Sequence, residues 1–188
     1  MHASKPWGLF IFLVFNAYSA FGCDCALTQV PINPIEPARN DIFVGKAATL
    51  ELRFRNESAR QGVDVFPEPP LTVHHSASGE SCDIDGGIWV RRSVYLSADE
   101  KILLVQEFSG SNDQLVFYDT TTCKKRSEID VSGARWKIAN NQISIGRQCS
   151  GEDITTCRSI KQLGLDKFCN PIKNKTKKIT SGANHGQP

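Results

Sequence analysis

The stretch that decides the fold class is Leu50-Glu51-Leu52-Arg53-Phe54-Arg55. Apolar and charged side chains alternate through all six positions, which is the period expected of a strand with one buried and one solvated face. Further along the chain, short apolar segments recur between groups of turn-forming residues. These strand-like segments are residues 88–96, 102–108, 115–118, 129–131, 136–138 and 143–145.

The connections between these segments also favour β-structure. Asn140-Asn141 tolerates positive φ and suits a tight hairpin, whereas the proline-rich residues 67–70 predict a loop or a sheet edge. Only residues 159–165 have a helical pattern, so folds built from alternating strands and helices are not expected. The sequence predicts an all-β fold, a single antiparallel meander stapled by disulfides as a sandwich or a partly open barrel, with one short helix near 159–165.

Residues 93–131 contain two sequence patterns that are typical of turns between strands. Ser97-Ala98-Asp99 separates two apolar segments, and Asp119-Thr120-Thr121-Thr122 follows the third. In this order of a Ser-x-Asp turn and an Asp-x-x-Thr turn, residues 93–131 resemble one blade of a β-propeller from exported repeat proteins. The resemblance implies a local meander. It does not imply a closed propeller, because that needs at least about four blades and the chain has room for about two at most.

Composition excludes several classes of protein. The 188 residues are 40% hydrophobic and 22% charged, with a net charge of +2. These values are typical of one globular domain and not of collagen, a coiled coil, a polytopic membrane protein or a disordered chain. So small a net charge supplies no field to attract nucleic acid, and no nucleic-acid partner is expected.

The first 22 residues have the layout of a secretory signal peptide. Lys5 precedes the apolar run Gly8 to Phe15, and small residues including Ala20 and Gly22 follow. The apolar run is shorter than the roughly 20 residues needed to span a bilayer, and a basic, apolar and small-residue order is that of an export signal. We expect cleavage after Gly22, with cleavage after Ala20 as the alternative.

Seven cysteines in an exported protein predict disulfide bonds. No Cys-x-x-Cys occurs, so zinc and thioredoxin-type patterns are missing. Cys149 and Cys157 are the best local pair, since the turn-like residues 150–153 let the chain return on itself. One cysteine is left over, and Cys23 stands directly after the expected cleavage site. Cys23 is therefore a candidate for lipidation, although the residues before it match a bacterial lipobox only in part.

Charge divides the mature chain into a body and a tail. Residues 23–172, the expected β-rich globular domain, contain 17 cationic and 20 anionic side chains, a net charge of −3. Residues 173–188 contain four lysines and no acid. The tail is polar and has no apolar period, so we expect it to be disordered.

His74 and His75 are the candidates for catalysis. Neighbouring residues of an extended chain point to opposite faces, so the pair is not expected to ligate one metal ion. Ser81 is near in sequence, but residues 79–82 lack the Gly-x-Ser-x-Gly elbow of hydrolases. Residues 83–87 lack the later ligands of a calcium loop and are expected to form a turn. The sequence predicts no catalytic residue, metal or cofactor, and a small secreted hydrolase around the two histidines is the alternative.

These observations favour an exported, non-catalytic protein-binding module. We expect a periplasmic immunity or inhibitor-like protein that neutralises a secreted toxin or enzyme, and the acidic body favours a basic partner. The location is the periplasm or the extracellular space, with membrane attachment only through lipidated Cys23; an envelope-anchored lipoprotein with a structural or assembly role is a further alternative. Recognition residues tend to lie on loops held by a rigid sheet. The expected binding residues are Asp99, Glu100, Asn112, Asp113, His74 and His75.

Overall fold

The computed structural model describes residues 25–58, 62–67 and 70–173. The predicted signal peptide, Cys23 and the predicted tail beyond residue 173 lie outside the described residues. The strands are β1 (Leu27–Gln29), β2 (Asn33–Glu36), β3 (Arg39–Lys46), β4 (Leu50–Arg55), β5 (Val65–Phe66), β6 (Leu71–His75), β7 (Ser81–Ile84), β8 (Ile88–Ser97), β9 (Ile102–Ser109), β10 (Asn112–Asp119), β11 (Lys125–Asp130), β12 (Arg135–Ala139), β13 (Gln142–Cys149), β14 (Cys157–Leu165) and β15 (Pro171–Lys173).

The strands form three antiparallel sheets. The central sheet has the order β1-β8-β9-β10-β11, and β5 also pairs with β8. A first outer sheet has the order β2-β3-β4-β6-β7, and a second outer sheet has the order β12-β13-β14-β15. The prediction of an all-β antiparallel fold is confirmed, but the sheets are three in number and not the two of a simple sandwich.

Two hydrophobic cores lie on the two faces of the central sheet. In β9, Leu103 and Val105 pack into the core shared with the first outer sheet, whereas Ile102 and Leu104 pack into the core shared with the second. A strand that is covered on both faces has no wet positions to fill with polar residues. This explains why residues 102–105 are an unbroken apolar run, while β4, which has one wet face, alternates.

The predicted short helix at 159–165 is wrong. These residues belong to β14, which pairs with β13 from Cys149 opposite Cys157 to Gln142 opposite Gly164. Pairing and the burial of Leu163 in the second core outweigh the weak helical spacing. The described residues contain one short 3-10 helix, Ile154–Thr156, and no helix long and apolar enough to cross a membrane.

The comparison of residues 93–131 with a propeller blade is also wrong as a statement of fold. The meander β8-β9-β10-β11 exists, but it is the middle layer of three sheets and packs on both faces. The two turns that suggested a blade are local hairpin chemistry available to any antiparallel meander. The Asp99 carboxylate accepts from Ser97 Oγ at 2.7 Å, and the Asp119 carboxylate accepts from Thr122 N at 2.9 Å.

The described residues contain three disulfides, of which two join different sheets. Cys149–Cys157 closes the β13–β14 hairpin and is the pair predicted from the sequence. Cys82–Cys123 links the first outer sheet to the β10–β11 turn, and Cys25–Cys169 links the start of the described chain to the β14–β15 turn. All six cysteines of the described residues are therefore paired.

Candidate functional site

Four of the six predicted binding residues lie at the two opposite ends of the central sheet, and the two histidines lie on β6 of the first outer sheet. Asp99 and Glu100 lie in the β8–β9 turn, whereas Asn112 and Asp113 begin β10 after the β9–β10 turn. The eight residues of β9 separate the two turns, which at about 3.4 Å per residue is about 24 Å. The six predicted residues do not form one continuous site. We call the Glu100 side the clamp end and the side of the β9–β10 turn the hairpin end.

At the clamp end, Glu100 holds the first outer sheet to the central sheet. Its carboxylate accepts hydrogen bonds from Ala48 N at 2.7 Å and from Thr49 N at 2.9 Å, and also from Thr49 Oγ1. Burial raises the pKa of Glu100, but these hydrogen bonds outweigh it and hold the pKa below its ordinary value. Glu100 adopts a φ of 57°, a conformation that a non-glycine residue keeps only where contacts hold it. Its carboxylate is occupied within the fold.

The two histidines point away from each other at the same end. His75 is half-buried, and its Nε2 lies 3.0 Å from the Thr120 carbonyl oxygen of the central sheet. His74 lies on the other face of β6, with Nδ1 2.8 Å from Ser81 Oγ. His75, like Glu100, therefore helps to hold the first outer sheet to the central sheet. Asp99 stays exposed, and its carboxylate caps its own turn through Ser97 and Lys101 N.

The hairpin end presents an exposed tip on a rigid base. Ser109 pairs with Asn112 across a two-residue turn, and Gly110 at the first central position has a φ of 63°. Glycine in that position is typical of a type II′ hairpin turn. The tip residues, Ser109 to Asn112, are all exposed.

Asp113 supports this tip from behind. Gln106 Nε2 donates to both carboxylate oxygens of Asp113 at 2.8 and 2.9 Å, and Gln106 Oε1 accepts from Ser93 Oγ at 2.8 Å. Burial raises the pKa of Asp113, and the Gln106 hydrogen bonds oppose this. The three side chains form a polar line across β8, β9 and β10. Asp113 therefore positions the hairpin, and Asn112 is the predicted binding residue that remains exposed there.

A cavity of about 610 Å³ lies beside the hairpin, between residues 86–88 and residues 107–110. Glu107 lines it and is only 9% exposed. Tyr118 donates its hydroxyl hydrogen to Glu107 Oε2 at 3.0 Å. Burial raises the pKa of Glu107, although Tyr118 and Lys125 oppose this. Glu107 is not among the residues predicted from the sequence, where its signal is a single carboxylate inside the apolar segment 102–108.

In the described part of the chain, no three His, Cys, Asp or Glu side chains come together as a metal site. What the fold offers is a disulfide-bonded β scaffold with an exposed hairpin on a braced sheet. That combination is typical of small binding proteins whose loops contact another protein.

The chain belongs to the Tsi1 immune protein family. The family's model, described as immune protein Tsi1, matches residues 25–169. The chain is also similar to the immune protein Tsi1 of Pseudomonas aeruginosa strain PAO1, with 40% identity over 162 residues, which cover 85% of this chain and 94% of that protein. The match replaces the resemblance to a propeller blade, which is wrong as a family assignment.

Family membership decides the function class. The protein is a non-catalytic immunity protein, of the class that neutralises a secreted toxin. The prediction of a non-catalytic, immunity-like binding module is confirmed by the family. The alternative of a small hydrolase around His74 and His75 is therefore not supported, and the His74–Ser81 contact is a cross-strand hydrogen bond of the β6–β7 pair.

Proposed function

We propose that this immunity protein acts in the periplasm and binds its cognate toxin through the hairpin end of the central sheet. The observation that carries the proposal is the contrast between the two ends. At the clamp end the polar groups of Glu100 and His75 form hydrogen bonds between the first outer sheet and the central sheet. At the hairpin end Ser109 to Asn112 are exposed, so their polar groups are available to a partner.

Rigidity supports the choice of the hairpin end. The Ser93–Gln106–Asp113 line fixes the base of the hairpin, and the Asp113 amide donates to Ser132 Oγ at 3.0 Å. A tip that is already ordered loses little conformational freedom when it binds. The net charge of −3 on residues 23–172 adds a preference for a basic toxin.

Export is the second part of the proposal. Three disulfides are typical of proteins that mature in an oxidising compartment, and residues 1–22 have the layout of a signal peptide. We expect N-terminal sequencing of the protein from its native host to begin between Phe21 and Cys25. Release by osmotic shock indicates a soluble periplasmic protein. A requirement for detergent, abolished by Cys23→Ser, indicates lipidation. An intact Met1 contradicts export.

The binding surface is tested by capture from periplasmic extract of the native host. The double variant Ser111→Arg/Asn112→Arg changes two exposed tip residues, which should alter stability by less than about 0.5 kcal/mol. Asp99→Arg is the matched control at the clamp end. We expect the wild type and the control to capture the same protein and to neutralise its toxicity, and the tip variant to do neither. Capture lost by Asp99→Arg and kept by the tip variant contradicts the assignment of the hairpin end.

A further inference from the structure

Glu107 is a buried carboxylate with an unused oxygen. It is 9% exposed, and its one hydrogen bond from a described residue is that of Tyr118 to Oε2. An ionised carboxylate can accept about four hydrogen bonds. No described residue donates to Oε1, and Oε1 is not among the fully buried atoms without a partner in the described part of the chain, so it keeps some exposure. Glu107 is one of the residues that line the cavity beside the hairpin.

Glu107 forms no ion pair with a cation of the described residues. Lys125 is near enough to lower its pKa, but Lys125 Nζ is bonded to Glu128 at 2.7 Å. Glu100 shows what a carboxylate used only for structure looks like in this protein, since both of its oxygens accept hydrogen bonds. A buried and under-coordinated carboxylate destabilises the fold, and such groups cluster at functional sites.

Two glycines let the chain pack closely at the edge of the cavity. A Cβ atom on Gly86 would lie 2.5 Å from the Trp89 ring and 3.3 Å from Glu107 Oε2. A Cβ atom on Gly87 would lie 2.0 Å from the Phe108 carbonyl oxygen. Neither glycine has a positive φ, so space and not backbone conformation requires them. Both glycines line the recess of about 610 Å³, a volume within the range of about 300–1,000 Å³ typical of ligand sites.

We propose that this recess binds a basic side chain of the partner protein, with Glu107 as the anion that pairs with its ammonium or guanidinium group. The proposal rests on the proposed function in one respect, because the hairpin end then presents both the exposed tip and a receiving pocket for a basic toxin. The negative body favours such a partner, and exposed Asp85 adds a further anion next to Gly86. Pairing would remove the penalty of the unpaired buried charge, so the gain appears only in the complex.

The test uses the full mature chain and a small probe in place of the toxin. N-acetyl-arginine amide is titrated against labelled protein at pH 7, and amide shifts are followed by NMR. The matched probe is N-acetyl-citrulline amide, which has the same shape and no charge. We expect saturable shifts at Gly86, Gly87 and Phe108 with the arginine probe, and none with the citrulline probe.

Two further arms separate charge from shape. Glu107→Gln keeps the volume and an acceptor for Tyr118, and we expect it to weaken arginine-probe binding at least tenfold, whereas the control Asp99→Asn leaves it unchanged. The wild type gives an independent check without any variant. Its affinity for the arginine probe should fall as the pH drops, because Glu107 takes up a proton and loses its charge. Equal shifts with both probes, or Glu107→Gln binding within twofold of wild type, overturn the proposal. If the arginine probe binds the wild type but the tip variant still captures the toxin, the recess proposal stands and only the proposed hairpin interface is contradicted.

Discussion

Glu100 gives the sharpest test of how the layers are joined. Its carboxylate accepts from Ala48 N at 2.7 Å, from Thr49 N at 2.9 Å and from Thr49 Oγ1. The substitution Glu100→Ala removes all three hydrogen bonds and leaves the backbone otherwise intact. The β3–β4 turn then loses its link to the central sheet.

The expected magnitude follows from exposure. Hydrogen bonds to charged groups contribute roughly 1.5–3 kcal/mol each where the partners stay unsatisfied. Ala48 and Thr49 are exposed or half-exposed, so water can replace the lost acceptor, and we expect a total loss of about 1–2 kcal/mol in the free energy of unfolding. For a domain of this size about 1 kcal/mol corresponds to about 2–4 °C in Tm. The variant should therefore melt about 2–8 °C lower.

The assay is thermal unfolding followed by circular dichroism at pH 7 with the disulfides intact. Glu80→Ala is the matched control, because Glu80 is an exposed carboxylate on the β6–β7 turn whose side chain makes no hydrogen bond with a described residue. We expect the control to melt within about 1 °C of wild type. If Glu100→Ala melts with the control, the Glu100 carboxylate does not hold the two sheets together.

The stabilisation by Glu100 should depend on pH in a defined direction. The pKa of Glu100 is lowered from its ordinary value of 4.5, so the folded protein favours the ionised form more than the unfolded chain does. The stabilisation by Glu100 is complete above pH 4.5 and disappears as the pH falls through the folded-state pKa. The difference in Tm between wild type and Glu100→Ala should therefore shrink in acid.

Three other perturbations test the remaining structure. Gly87→Ala places a Cβ atom 2.0 Å from the Phe108 oxygen and should lower the free energy of unfolding by about 1–3 kcal/mol, while Gly151→Ala, whose nearest atoms are 3.5 Å away, should change little in the same melt. Removing single disulfides by paired Cys→Ser substitution should destabilise by about 5, 4 and 2.5 kcal/mol for loops of 144, 41 and 8 residues, and any other rank in denaturant titration contradicts the loop-entropy account. Glu107→Gln should be at least as stable as wild type at pH 7. Burial raises the pKa of Glu107, so the free energy of unfolding of the wild type falls as the pH rises from the ordinary pKa of 4.5 through the raised one. A variant that is less stable than wild type by the same amount at pH 7 and at pH 4 contradicts this.

Local pattern was enough for the strands and turns that carry their own signal. The alternation at 50–55 predicts a strand, and β4 has those bounds. Asn140-Asn141 predicts a tight hairpin, and both residues have positive φ, at 49° and 57°. Alternation and turn chemistry are properties of adjacent residues, so a single sequence displays them. The pair Cys149–Cys157 belongs here too, since its loop spans 8 residues.

The layering and the roles of the charged residues were decided by tertiary structure. Residues 159–165 form a strand because they pair with the edge of β13 and because Leu163 is buried in the second core. Glu100 and Glu107 are the same residue type on one β-meander, yet Glu100 binds a turn 51 residues away and Glu107 keeps an open oxygen beside a cavity. Strand and turn signals are local, so the amino-acid pattern alone predicts a disulfide-linked β domain. Which carboxylate is consumed by the fold and which is left for a partner depends on contacts between distant segments, and those exist only once the sheets have packed.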